Sequence, residues 1–155
     1  MPSGRTHATA STYAAIATGG VVFVATVDPL AATLAALGCL SGILLSPDLD
    51  IESRTFSEYQ VDRIFGVVVG WVWFAFWWPY ARIIPHRNWM SHGYFVGTAI
   101  RLGWLYSAIW IPAALAGAVW SPPQSLWWWV LGLTVSDVLH TAMDKLSTWS
   151  KHRRL

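Results

Sequence analysis

Charge is scarce in this chain: 12% of its 155 residues are Asp, Glu, Lys or Arg, about half the share of an ordinary soluble domain. The formal net charge of +2 leaves no basic stripe of the kind a phosphate backbone requires, which sets nucleic-acid binding aside. Cysteine occurs once, at Cys39 inside an apolar run, so neither an internal disulfide nor a Cys-rich zinc site is expected. The N-terminal segment has a lone Arg5 ahead of His7 and a Ser/Thr/Ala stretch. It lacks the strong n-region and compact apolar core of a cleaved signal peptide and is expected to be retained. A Ser nucleophile elbow and a Cys/His pairing are also missing, which leaves water as the nucleophile for any hydrolysis.

What the chain has is apolar surface. It is 55% hydrophobic with 12 Trp, and Trp favours a membrane interface because its ring is apolar while its N–H wants a polar partner. The length fits one unit, residues 1–155. Four apolar runs, at residues 8–27, 29–45, 94–120 and 126–143, each approach the ~20 residues of a transmembrane helix. Asp28-Pro29 separates the first pair and Ser121-Pro122-Pro123-Gln124 the second, so they read as two helical hairpins. A fifth run, residues 64–78, falls short of the ~18 residues a span needs. Its second half, from Trp71 to Trp78, is rich in aromatics and suits an interfacial or re-entrant segment. If that segment turns back, Arg5, Arg54, Arg63, Arg82, Arg87, Lys145, Lys151, Arg153 and Arg154 share one face, as the positive-inside bias favours. The expectation is an all-α integral membrane protein with four transmembrane helices, five spans being the alternative, and with both termini cytoplasmic. Arg101 is the exception, set inside the third run within snorkelling reach of the same face.

The remaining ionisable groups fall mostly into four clusters: His7, Asp48 with Asp50, His86 with Arg87 and His92, and Asp137 with His140 and Asp144. The four-span reading places all of them at the cytoplasmic face. Asp137, His140 and Asp144 are spaced i, i+3, i+7, so on a helix they project from one face. Asp48 and Asp50 follow Pro47, and an i, i+2 spacing in an extended turn puts both carboxylates on one side. His86 and His92 supply nitrogen ligands on either side of Arg87, whose guanidinium forks onto an anionic oxygen. Each cluster also has a plain reading: a self-neutralising Asp–His pair, solvated loop carboxylates as for Glu52, Glu58 and Asp62, or interfacial histidines. His152 reads as part of the basic tail. Mixed imidazole and carboxylate ligands suit Zn, Mn or Fe. Eight candidates exceed the needs of one tetrahedral ion, so either two ions or one ion with an outer set of partners would use them.

In their order, Ser46-Pro47-Asp48-Leu49-Asp50, Pro85-His86-Arg87, Ser91-His92-Gly93 and Asp137 to Asp144 resemble a group of metal-binding membrane proteins common in cyanobacteria. The likeness to LexA-regulated membrane-bound metal-dependent hydrolases is more distant. It implies an inner or thylakoid membrane protein whose metal ligands are His7, Asp48, Asp50, His86, His92, Asp137, His140 and Asp144. For the wider group it implies hydrolase activity. The hydrolase group tends to have a small Gly-containing turn between its two histidines, where this chain has Asn88-Trp89-Met90. The function expected is hydrolysis of an anionic phosphoester or lipid-like substrate at the cytoplasmic membrane face, with Asp50 and Arg87 as the catalytic residues and membrane lipid as the partner. The alternative is a non-enzymatic membrane subunit of a larger assembly, holding a structural metal or a tetrapyrrole on His140. Ligands gathered at one end of the helices count against a transporter.

Overall fold

The computed structural model describes residues 3–118 and 121–152, with the side chains of residues 150–152 left aside. The end of the 94–120 run and the tail residues Arg153 and Arg154 therefore lie outside the described residues, as do the side chains of Lys151 and His152. Among the described residues the chain is all-helical, with seven α-helices and one 3-10 turn.

Helix α1, Gly4–Thr26, opens at Ser3, whose side chain accepts from the Thr6 N–H, and closes where Val27 turns left-handed at φ 52°. Asp28 then caps α2, Pro29–Ser41, by accepting from the Leu30 and Ala31 N–H groups, and Pro29 stands where a helix needs no donor. The last helix, α7 (Leu126–His152), packs along both α1 and α2. Small residues let it come close. A Cβ on Gly38 would run into the Trp129 carbonyl, and one on Gly132 into the Ala35 carbonyl. Cys39 donates its thiol to the Gly132 carbonyl at 3.1 Å, and Ser11 on α1 meets Ser136 on α7 at 2.8 Å. Gly38→Ala is therefore expected to cost about 1–3 kcal/mol, since overpacking a close seam forces backbone shifts. Gly20→Ala adds the same atom where nothing lies within 4 Å and should be neutral or stabilising by up to about 1 kcal/mol. Urea melts of the two variants check the contrast.

The middle of the chain folds onto this three-helix face. Helix α3 (Phe56–Phe65) starts with a Thr55/Glu58 capping box, and Arg54 ties it to α4 (Val67–Ile83). Its guanidinium lies 2.6 Å from Asp62 and over the rings of Tyr59 and Trp71. Trp77 and Tyr80 of α4 enter the core with Leu45, Leu49, Ile84 and Leu133. A four-residue helix, α5 (Trp89–His92), and α6 (Val96–Leu115) follow. Trp104 of α6 donates its indole N–H to the Phe76 carbonyl at 3.3 Å.

This architecture corrects the expected topology: it supports neither four nor five transmembrane helices. Among the described residues one helix, α1, is long and apolar enough to cross a membrane. Helix α2 has 13 residues, roughly 20 Å at 1.5 Å per residue, against a hydrocarbon core of about 30 Å. Helix α6 carries buried Arg101 and an internal Pro112, and α7 carries Asp137, His140 and Asp144. The 64–78 run is no re-entrant segment either. Most of it belongs to one continuous helix of 17 residues that passes through Pro79, in which Trp73 meets Trp77 and Trp77 meets Tyr80 edge to face. Hydropathy overcounts spans here because an apolar run in the sequence does not show how long its helix is, nor that a proline or a buried charge interrupts it. Arg101 does not snorkel; it points into the protein, 1% exposed.

Candidate metal centre

Four separate segments deliver the site. The turn Pro47–Asp50 is a single 3-10 turn, capped by Ser46, whose hydroxyl accepts from the Asp48 N–H at 3.2 Å. Leu49 anchors it in the core, so the flanking carboxylates Asp48 and Asp50 are held at fixed positions beside α5 and α7. Helix α5 starts at Asn88, whose side chain accepts from the Met90 N–H, and buries Ser91 and His92. Helix α7 brings His140 and Asp144, one turn apart on the same face, and α1 brings His7.

Asp48, His92, His140 and Asp144 each offer one ligand atom, and these atoms all lie within 4.8 Å of one another. Nε2 of His140 is 3.5 Å from Asp48 Oδ1 and 3.6 Å from Asp144 Oδ2, and Nε2 of His92 is 3.7 Å from Asp48 Oδ1. These gaps are long for hydrogen bonds. They match the separation of about 3.3–3.6 Å between two ligands on a tetrahedral ion with bonds of about 2.0–2.2 Å. Nε2 of His92, Nε2 of His140 and Oδ1 of Asp144 are buried with no hydrogen-bond partner among the described residues. Buried polar atoms without a hydrogen bond cost free energy unless something fills the space between them. The donor set therefore fits a divalent cation, and mixed nitrogen and oxygen ligands suit Zn, Mn or Fe.

His7 stacks on His140 with ring centroids 3.8 Å apart and sets its Nε2 3.2 Å from Asp144 Oδ1. Burial, then the neighbouring His140, lowers the pKa of His7. Burial alone would lower the His92 imidazole, but the Asp48 and Asp50 carboxylates outweigh it and push the group up to about 9. Burial would likewise raise the Asp48 carboxyl, yet the His140 and His92 rings hold it well below the usual carboxylate range. In the metal-free protein this cluster is thus an Asp48⁻/His92⁺ pair, poised to exchange a proton for a metal ion.

The second group, Asp50, His86 and His92, sits against the first. Asp50, 2% exposed, accepts from Nδ1 of His86 at 2.7 Å and from the Arg87 N–H at 3.2 Å. That second bond holds Arg87 at φ 60°, a left-handed conformation that non-glycine residues adopt rarely and that clusters at functional sites. The structure sends Asp137 elsewhere: it takes a hydrogen bond from Thr98 at 2.5 Å and pairs with the Arg101 guanidinium, and it belongs to neither ligand group.

The centre has two open sides. A small cavity with room for about one water-sized sphere is lined by His7, Ser11, Ser46, Asp48 and His140. On the other side a groove of about 380 Å³ is lined by Arg87, His92, Thr141, Asp144, Lys145, Thr148 and Trp149. Lys145 is placed there by its ammonium, 4.2 Å over the Tyr94 ring. Two participants escaped the sequence reading. Ser91 touches Nδ1 of His92 at 3.0 Å, and the only signal for it was its place next to a histidine. Lys145 counted there only toward the basic face.

No curated protein and no solved structure matches this chain. A family model does match residues 2–154, nearly the whole length. The chain belongs to that family, DUF2227, described as uncharacterized metal-binding protein.

Proposed function

We propose that this protein is a metal-dependent hydrolase of an anionic ester, a phosphoester in the first instance. One observation carries the reading: His92 and Asp144 belong both to the ligand set and to the wall of the groove that contains Arg87 and Lys145. A divalent ion held by Asp48, His92, His140 and Asp144 supplies a Lewis acid that polarises an ester oxygen and acidifies water. Arg87 and Lys145 bind the anionic oxygens from the groove side, Arg87 through two parallel N–H donors that also orient them. The Thr141 and Thr148 side chains line the floor, and Trp149 offers an apolar wall to the alcohol portion. Hydrolysis breaks the P–O ester bond, gives the oxygen of water to phosphorus, and returns a proton to the leaving alkoxide. The distant likeness to membrane-bound metal-dependent hydrolases supports the same assignment.

A membrane setting belongs to this reading. Helix α1 is long and apolar enough to cross, and Ile16, Val24, Val68 and Val72 leave large apolar side chains exposed on α1 and α4. The substrate is then an ester presented at the lipid surface.

The test is turnover by metal-loaded protein of a chromogenic phosphodiester, phospholipids and prenyl phosphates. Chelator-sensitive hydrolysis is expected, with Arg87→Lys lowering kcat/KM about 100-fold at unchanged metal content. A fully metallated protein inert across the panel would overturn the hydrolase assignment, as would activity that survives the chelator.

A further inference from the structure

The two groups of ligating side chains share His92, and a neutral imidazole has one lone pair to give to a cation. Which group takes it follows from the hydrogen bonds around the ring. Ser91 Oγ lies 3.3 Å from the Pro85 carbonyl and 3.1 Å from the Asn88 carbonyl, and donates to them. A hydroxyl has a single proton, so toward His92 Nδ1 at 3.0 Å this oxygen accepts. Oδ2 of Asp50 stands 3.5 Å from the same nitrogen, long for a hydrogen bond, but its negative charge faces that nitrogen and favours a proton there. When His92 gives up a proton to a cation, the proton it keeps therefore stands on Nδ1 and the lone pair opens on Nε2, which faces Asp48.

The two groups differ in the same sense elsewhere. In the Asp48 group the His92 and His140 Nε2 atoms and Asp144 Oδ1 are buried and make no hydrogen bond among the described residues, although His7 Nε2 stands 3.2 Å from Asp144 Oδ1. In the Asp50 group the candidate atoms are already engaged: His86 Nδ1 sits 2.7 Å from Asp50 Oδ1, and the Arg87 N–H bonds Oδ2. A separation of 2.7 Å is a hydrogen bond and is too short for two ligands of one ion, which stand about 3.3–3.6 Å apart at such bond lengths.

We infer that the centre takes one ion, between Asp48, His92, His140 and Asp144, and that Asp50 is a positioning carboxylate that fixes the tautomer and orientation of His92, with His86 and the Arg87 backbone as its own anchors. This is the carboxylate–histidine–metal arrangement of many metal sites, built here from a turn and a four-residue helix. The inference rests on the metal centre proposed above but not on hydrolysis.

Metal-free full-length protein titrated with Zn or Co(II), followed by calorimetry, elemental analysis and the Co(II) visible spectrum, tests it. The wild type should take one ion per chain. Asp50→Asn should still take one, with affinity lower by about 10–100-fold. His86→Ala should keep one ion and a wild-type Co(II) spectrum, because it removes no ligand; His86 is exposed, so this variant serves where Asp50→Asn fails to fold. Two ions per wild-type chain, falling to one in either variant, would overturn the inference and leave hydrolysis standing. One ion without turnover would uphold it while removing the hydrolase assignment, and a wild type that takes no ion would end both.

Discussion

Arg101→Met should destabilise the protein by about 3–5 kcal/mol, the usual cost of removing one partner from a buried ion pair. Arg101 is 1% exposed and Asp137 is 3% exposed, and Thr98 adds the second bond to the same carboxylate oxygen. Without Arg101 the Asp137 carboxylate would stay buried with one hydroxyl donor, far from water and without a counter-charge. The loss would take a large part of a typical stability of 5–15 kcal/mol. Replacing both partners, Arg101→Met with Asp137→Leu, should recover most of it, since an apolar pair needs no compensation. Urea melts of the single and double variants give the comparison. A double variant no better than the single would mean that the pair supplies more than mutual neutralisation. The pair also bears on the centre. Helix α6 meets α7 sparingly, and Asp137 lies one turn before His140, so the single variant should also weaken metal binding.

That pair shows how far the sequence is legible here. The i, i+3, i+7 spacing on α7 puts Asp137, His140 and Asp144 on one face, but spacing does not say which carboxylate meets a cation from another helix. Arg101 settles that by turning inward, and an arginine inside an apolar run gives no sign of doing so. The Asp28-Pro29 boundary was legible because its physics is local: an Asp side chain caps two N–H groups and Pro opens the helix. Asp48 and Asp50 come to the same centre as His92, yet in a 3-10 turn and not the extended turn their spacing suggested. Leu49 decides this, because burying it in the core fixes the turn at the residue between the two carboxylates. The count of membrane crossings was not legible at all. Trp73, Trp77 and Tyr80 gather against one another, and no hydropathy window separates an aromatic core from an aromatic belt.

Removing a ligand should produce the largest effect on metal. His140→Ala is expected to lower affinity by at least about 100-fold, since outer partners of ligands alone are worth 10–100-fold. Glu52→Ala, at an exposed pair with Arg82 3.0 Å away, should leave it unchanged. The effect on the fold depends on whether metal is present. An ion at 100 times its dissociation constant contributes about 2.7 kcal/mol to stability, so chelator should lower the wild-type melting temperature and leave His140→Ala almost where it was. Nε2 of His140 has no hydrogen-bond partner among the described residues. Its loss in the metal-free state should therefore cost the stacking on His7 and the ring's part in holding Asp48 ionised, a cost that chelator does not change. An equal loss of stability with and without metal would mean that the ring is held for packing, and His140 would then leave the ligand set. The ligands come from a turn, a four-residue helix and the second half of α7. An ion there ties together segments more than forty residues apart in sequence, and its removal should loosen α5 first, because a single turn of helix holds few backbone bonds of its own.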